Sequence, residues 1–167
     1  PIDGTINFLH GIPHFAISIA LMSNKEIVSG IIYDPIKDEL FYAEKNNGAF
    51  LNNQRIRVSK KNNLDECLFA AGSKIKIEPG LNYRNSGCAA LDMAYVANGR
   101  YDGYFQKNLN LWDIAAGIVL INEAGGIIDN IDLSNKKSIK VIASNTDIHE
   151  KFKQKTAAKI LIYTGQI

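Results

Sequence analysis

A chain of 167 residues with 46% hydrophobic and 22% charged side chains fits one globular domain and argues against a long disordered segment. Nineteen Lys and Arg against seventeen Asp and Glu leave a net charge of +2, and the lysines are dispersed, so nucleic acid is not indicated as a partner. No apolar run approaches the roughly 18–20 residues that a membrane-spanning helix needs. Cys67 and Cys88 sit in apolar company and read as small core residues, not as a disulfide framework or a metal knuckle. No signal peptide is found, and a reducing, cytoplasmic setting is expected. The chain opens on Pro1 instead of Met and reads as a fragment or a split-gene product.

In chain order, residues 14–22 (HFAISIALM) form an apolar, β-branched run that reads as a buried strand. Residues 26–33 (EIVSGIIY) read as the next strand, after a short turn at 23–25. Asp34-Pro35 starts another turn, because Pro fixes φ and Asp bonds to its own backbone. Residues 39–43 alternate and should pair back. Asn46-Asn47-Gly48 is a tight turn that wants positive φ. Short edge-like strands are expected at 49–51 and 55–58, and a further strand at 66–71. Residues 87–98 (GCAALDMAYVAN) place Ala90, Leu91, Ala94, Tyr95 and Asn98 on one side of a helix that stops at a left-handed Asn98-Gly99 cap. A strand at 101–105, an apolar helix at 111–123 ended by Gly125-Gly126, strands at 126–129 and 138–143, and a polar-faced helix at 147–159 complete the chain. A strand meander followed by alternating helices and strands predicts a layered α/β sandwich with mixed sheets.

Two segments have the residue types for phosphate chemistry. In Asp3-Gly4-Thr5 the carboxylate suits a hard cation, the Gly lets backbone N–H groups approach a phosphate, and the Thr adds a hydroxyl. Taken alone, the tripeptide reads first as a turn. In residues 112–117 (WDIAAG), Asp113 stands near a helix start. There it is first a cap or dipole partner, and it also offers a carboxylate where a metal and a phosphate could dock. His10 and His14 have a helical ligand spacing, but Gly11 and Pro13 intervene and forbid a regular turn. His149 is expected on the exposed face of the last helix.

Together these segments and the residues between them resemble the inositol monophosphatase family of metal-dependent phosphatases, particularly its bacterial branch. Residues 1–8 (PIDGTINF) match the signature D-P-I-D-G-T-x-N-F without its leading Asp, and WDIAAG matches W-D-x-A-A-G. Further agreement lies at 7–15, at 47–50 with Asn52, at 87–103 and at 123–126. The resemblance implies the C-terminal part of a sugar-phosphatase-like fold, one N-terminally truncated domain over residues 1–167, and Mg²⁺ as cofactor. It implies hydrolysis of inositol phosphate or a related sugar or nucleotide phosphate by metal-activated water. By the same resemblance the Ile2 carbonyl ligates one metal, and the carboxylates of Asp3 and Asp113 ligate a second. The N–H groups of Gly4 and Thr5 hold phosphate, and the Thr5 hydroxyl orients the attacking water. Asp3 and Thr5 are thus the catalytic pair, and Gly87, Cys88, Ala89, Gln106 and Asp113 meet the substrate.

The sequence departs from the family pattern in four places. The Asp before Pro1 and the N-terminal glutamate ligands are absent. Gln106 stands where many members carry a Glu, and the stretch 73–83 is short, as if a helix and loop were deleted. Two Mg²⁺ ions about 4 Å apart repel by roughly 17 kcal/mol at an effective dielectric near 20, and two carboxylates do not offset that. One Mg²⁺ is therefore expected, not a full cluster. An apolar face bared by the missing portion predicts association, either as a homodimer or with a separate N-terminal piece. The alternative to an active phosphatase is a catalytically incomplete remnant acting as an interaction module. Bacterial members are associated with transcription and ribosome-assembly factors, which fits such a role.

Overall fold

The computed structural model describes residues 2–72 and 80–163. The first sheet is an antiparallel meander in which β1 (Ile2–Asp3), β2 (Ala16–Ser23), β3 (Glu26–Asp34), β4 (Glu39–Glu44), β5 (Gly48–Leu51) and β6 (Gln54–Arg55) lie side by side in chain order. Asparagines set its turns. Asn24, Asn46, Asn52 and Asn53 all take positive φ, which Asn tolerates better than other non-glycine residues. Asp34 closes the β3 to β4 turn by accepting the N–H groups of Ile36 (2.9 Å) and Lys37 (3.1 Å).

The second sheet has the order β10 (Ile127–Ile128), β11 (Ile139–Ser144), β9 (Gly103–Leu109), β7 (Leu68–Ala71), β8 (Asn82–Arg84). β7 runs parallel to β8 and β9, and the other pairings are antiparallel. Two helices, α2 (Ala89–Ala97) and α3 (Leu111–Glu123), fill the space between the sheets. α4 (His149–Tyr163) covers the far side of the second sheet, where Phe152 stacks on Phe69 at 4.4 Å. The layers are therefore sheet, helix pair, sheet, helix, which is the α/β sandwich expected from the sequence.

Close approach explains one glycine. A Cβ on Gly30 of β3 would lie 2.7 Å from the Ala116 Cα and 2.8 Å from Val119 Cγ1. α3 can lie this close to the sheet only over a residue without a side chain.

Several expectations are corrected. Burial extends beyond the side of the 87–98 helix that carries Ala90, Leu91, Ala94 and Tyr95: every residue of α2 is buried, because the helix is enclosed by both sheets and α3. The run 14–22 was expected to be buried, but only Ala16 and Ser18 of β2 are, and its other face lies open. The strand at 55–58 shrinks to β6, the start of 66–71 is a single 3-10 turn (Leu64–Glu66), and the strand at 101–105 starts at Gly103 and runs to Leu109. His149 is not on an exposed face. It is 3% exposed, with Nδ1 2.8 Å from the Ser144 hydroxyl and Nε2 3.1 Å from Asp129 Oδ1. Those two partners turn it inward. Most of the shortened stretch at 73–83 lies outside the described residues.

Candidate active site

β1 leads into a sharp bend at Gly4, whose φ of +79° is left-handed. The bend opens the five-residue helix α1 (Thr5–Leu9). Glycine suits the position twice over. Its φ disfavours a side chain, and a Cβ would meet the His14 carbonyl oxygen at 3.0 Å and the Cys88 Cβ at 3.2 Å. The Thr5 hydroxyl donates to the Ile2 carbonyl oxygen (3.0 Å). Two groups that the resemblance assigns to water and to metal are thus bonded to each other here.

Asp3 is half-buried, and its Oδ2 accepts the Ala90 N–H (2.7 Å) at the start of α2 and the Cys88 thiol (3.2 Å). Burial raises its carboxyl above the ordinary carboxylate range. The Ala90 and Cys88 bonds counter this, and the nearby Asp113 charge adds to the rise. Asp113 is the third residue of α3. Its Oδ2 reaches back to the Asn110 backbone N–H (3.1 Å) and side-chain Nδ2 (3.2 Å), which is the carboxylate half of a capping box. The capping role and the site role therefore coexist in one residue. Both aspartates line one cavity of about 580 Å³, although most of the chain separates them in sequence.

Ile2, Gly4, Thr5, Gly87, Ala89 and Gln106 line the same cavity. Cys88 does not. It is buried behind the wall, and its thiol faces Asp3 instead of the cavity. The contact expected of this segment is through its backbone, and the thiol is already bonded to the Asp3 carboxylate. Burial and the Asp3 charge push its thiol far above the normal range, and burial pushes Cys67 up to about 11. Both are buried, and a thiol kept protonated is a poor nucleophile. Gln106 lies across Gly72 and accepts the Tyr104 hydroxyl at Oε1 (2.6 Å). His14 is not a ligand partner of His10. It is half-buried beside the Tyr95 ring, and burial and Lys37 lower its pKa.

Asn7 and Asp92 are among the cavity residues that sequence reasoning missed. Asp92 sits on α2 with 2% exposure, 2.7 Å from the Ser86 hydroxyl. Burial, with Asp3 adding repulsion, pushes its carboxyl up to about 8. Its one signal in the sequence is an acid inside an otherwise apolar helical run. Among the described residues no group of three or more His, Cys, Asp or Glu stands placed to hold a metal. A carboxylate has about four lone-pair positions, so the helix-start bonds leave each aspartate capacity for a hard cation.

Comparison with known proteins decides the family. Residues 1–163 match the model of the inositol monophosphatase family. The chain belongs to that family. The inositol-1-monophosphatase of Caulobacter vibrioides is 41% identical over 178 residues, covering 95% of this chain and 70% of that protein. The Nus factor SuhB of Haemophilus influenzae is 40% identical over 161 residues, covering 86% and 60%. The solved Thermotoga maritima IMPase superposes with a TM-score of 0.89 at 37% identity, over 99% of this chain and 69% of that one. The chain spans 53% to 70% of the length of such curated relatives. Membership and this superposition make the layered sandwich the inositol monophosphatase fold. Among the described residues no helix is long and apolar enough to cross a membrane.

Proposed function

We propose that this chain is a Mg²⁺-dependent phosphomonoesterase acting on inositol phosphate or a related sugar or nucleotide phosphate. The observation that carries the reading is the convergence of Asp3 and Asp113 on one cavity beside the Gly4 bend. In this reading Asp3 and Asp113 would hold the single Mg²⁺, which when bound would neutralise phosphate charge and supply an activated water, while the Ile2 carbonyl borders the same cavity at the other metal position. The N–H groups of Gly4 and Thr5 hold phosphate oxygens. The Thr5 hydroxyl leaves the Ile2 oxygen and orients the attacking water. The backbone at Gly87 and Ala89 meets the substrate alcohol. Gln106, its Oε1 already taken by Tyr104, offers its N–H₂ to a substrate oxygen in place of a charged Glu. A reducing cytoplasm would keep both cysteines as the free thiols observed. The test is phosphate release from inositol 1-phosphate by the purified chain. Release that needs millimolar Mg²⁺ and stops with chelator is expected. Release indifferent to chelator, or none at any Mg²⁺ concentration, rejects the reading.

One observation favours a second reading, an interaction module. The outer face of the first sheet is apolar and open. Ile19 pairs across to Ile31 and Ile17 to Tyr33, and Ile19 and Leu21 are 59% and 60% exposed. A strand apolar on both faces calls for cover on both. In this reading a second copy or a separate polypeptide supplies the cover. The double substitution Ile19→Lys with Ile31→Lys is expected to convert an associating chain to a monomer in sedimentation velocity. A parent chain that sediments as a monomer at high concentration argues against this reading.

A further inference from the structure

We infer that Asn7 is a positioning residue for Asp3: its carboxamide clips the 86–89 loop onto the bend that opens α1, and so holds the Ala90 N–H against the Asp3 carboxylate. The inference rests on the reading of Asp3 as a cation ligand. Asn7 is 8% exposed, and its Nδ2 donates to two carbonyls, His14 at 2.7 Å and Ser86 at 2.9 Å. These two protons are the full donor capacity of the amide. Although Asn7 borders the cavity, it therefore has no proton left for a substrate.

Ser86 passes the restraint on. Its hydroxyl accepts the Cys88 N–H (3.2 Å) and bonds Asp92 Oδ1 (2.7 Å). Two residues later the chain delivers the Ala90 N–H to Asp3 Oδ2 at 2.7 Å. The clip is closely packed, since a Cβ on Gly87 would lie 3.2 Å from both Nδ2 and Oδ1 of Asn7. An Asp at position 7 would point a carboxylate at two carbonyl oxygens. An Ala would leave both carbonyls unpaired.

The test uses Asn7→Ala and Asn7→Asp with two measurements. Amide hydrogen exchange at Ala90 is expected to quicken about tenfold or more, while Val141 and Ile142 in the second sheet keep the parent rate. Mg²⁺ affinity by calorimetric titration is expected to weaken about tenfold, the size seen when a group supporting a metal ligand is lost. Should Asn7→Ala fail to fold, Asn7→Ser, which keeps one donor, should show about a threefold change in both. Unchanged Ala90 exchange overturns the inference. So does exchange that rises equally at Ala90 and Val141, since that marks general loosening. A parent chain that binds no Mg²⁺ sinks the phosphatase reading, and the Ala90 exchange then still decides whether Asn7 positions this loop.

Discussion

Asp113→Asn and Asp3→Asn are each expected to lower Mg²⁺-dependent phosphate release at least about a hundredfold, equivalent to about 2.7 kcal/mol of transition-state stabilisation. The size follows from scarcity. Only these two acids are assigned to hold the cation in the 580 Å³ cavity, so either substitution halves the negative charge available to it. The fold should survive both changes. An Asn at 113 still accepts the Asn110 N–H through its amide oxygen, and an Asn at 3 still accepts the Ala90 N–H. Melting temperatures near the parent's, with activity lost, are the expected pair of results. Either variant retaining more than a tenth of the parent rate would remove that aspartate from the cation site.

In metal-free buffer Asp92 should give the fold a pH slope. The folded chain holds the Asp92 proton up to about pH 8, whereas the ordinary value is 3.8. Between those values the unfolded chain has released a proton that the folded chain keeps, so stability falls as pH rises. The contribution is complete below about pH 4, is lost as pH passes about 8, and adds no slope beyond. A single proton gives at most about 1.4 kcal/mol per pH unit. Other groups titrate in the same window, so the comparison is with Asp92→Asn, which keeps a hydrogen-bonding amide beside Ser86. The variant is expected to gain on the parent steadily from pH 5 to 8 in urea melts, reaching about 3 kcal/mol. Parallel pH profiles for parent and variant would show that Asp92 is ionised in the fold.

Local chemistry made some elements legible and hid others. The turns at Asn46 to Gly48 and at Asn98-Gly99 were readable because Asn and Gly are the residues that tolerate the positive φ observed there. The antiparallel meander followed from runs joined by such short turns. α1 carried no periodic signal because five residues make little more than one turn, and β8, three exposed residues long, has no alternation to read. β7 and β9 pair parallel across the whole of α2, a partnership no window of sequence contains. His149 faces inward because Ser144 and Asp129 wait there, which the polar face of its own helix does not reveal. Asp3 and Asp113 could be joined in advance only through the family resemblance. Asn7 and Ser86 show the limit: 79 residues apart, they carry no common pattern, and only the packed structure brings them together.

The central proposition is that two acids distant in the chain share one cation beside the Gly4 bend. The most direct measurement is anomalous diffraction from crystals of this chain soaked in Mn²⁺ with inorganic phosphate. A manganese peak coordinated by both Asp3 and Asp113, with phosphate against the Gly4 and Thr5 amides, is the result this account expects. Manganese bound away from both carboxylates, or no peak at a concentration that saturates an intact family member, would contradict it.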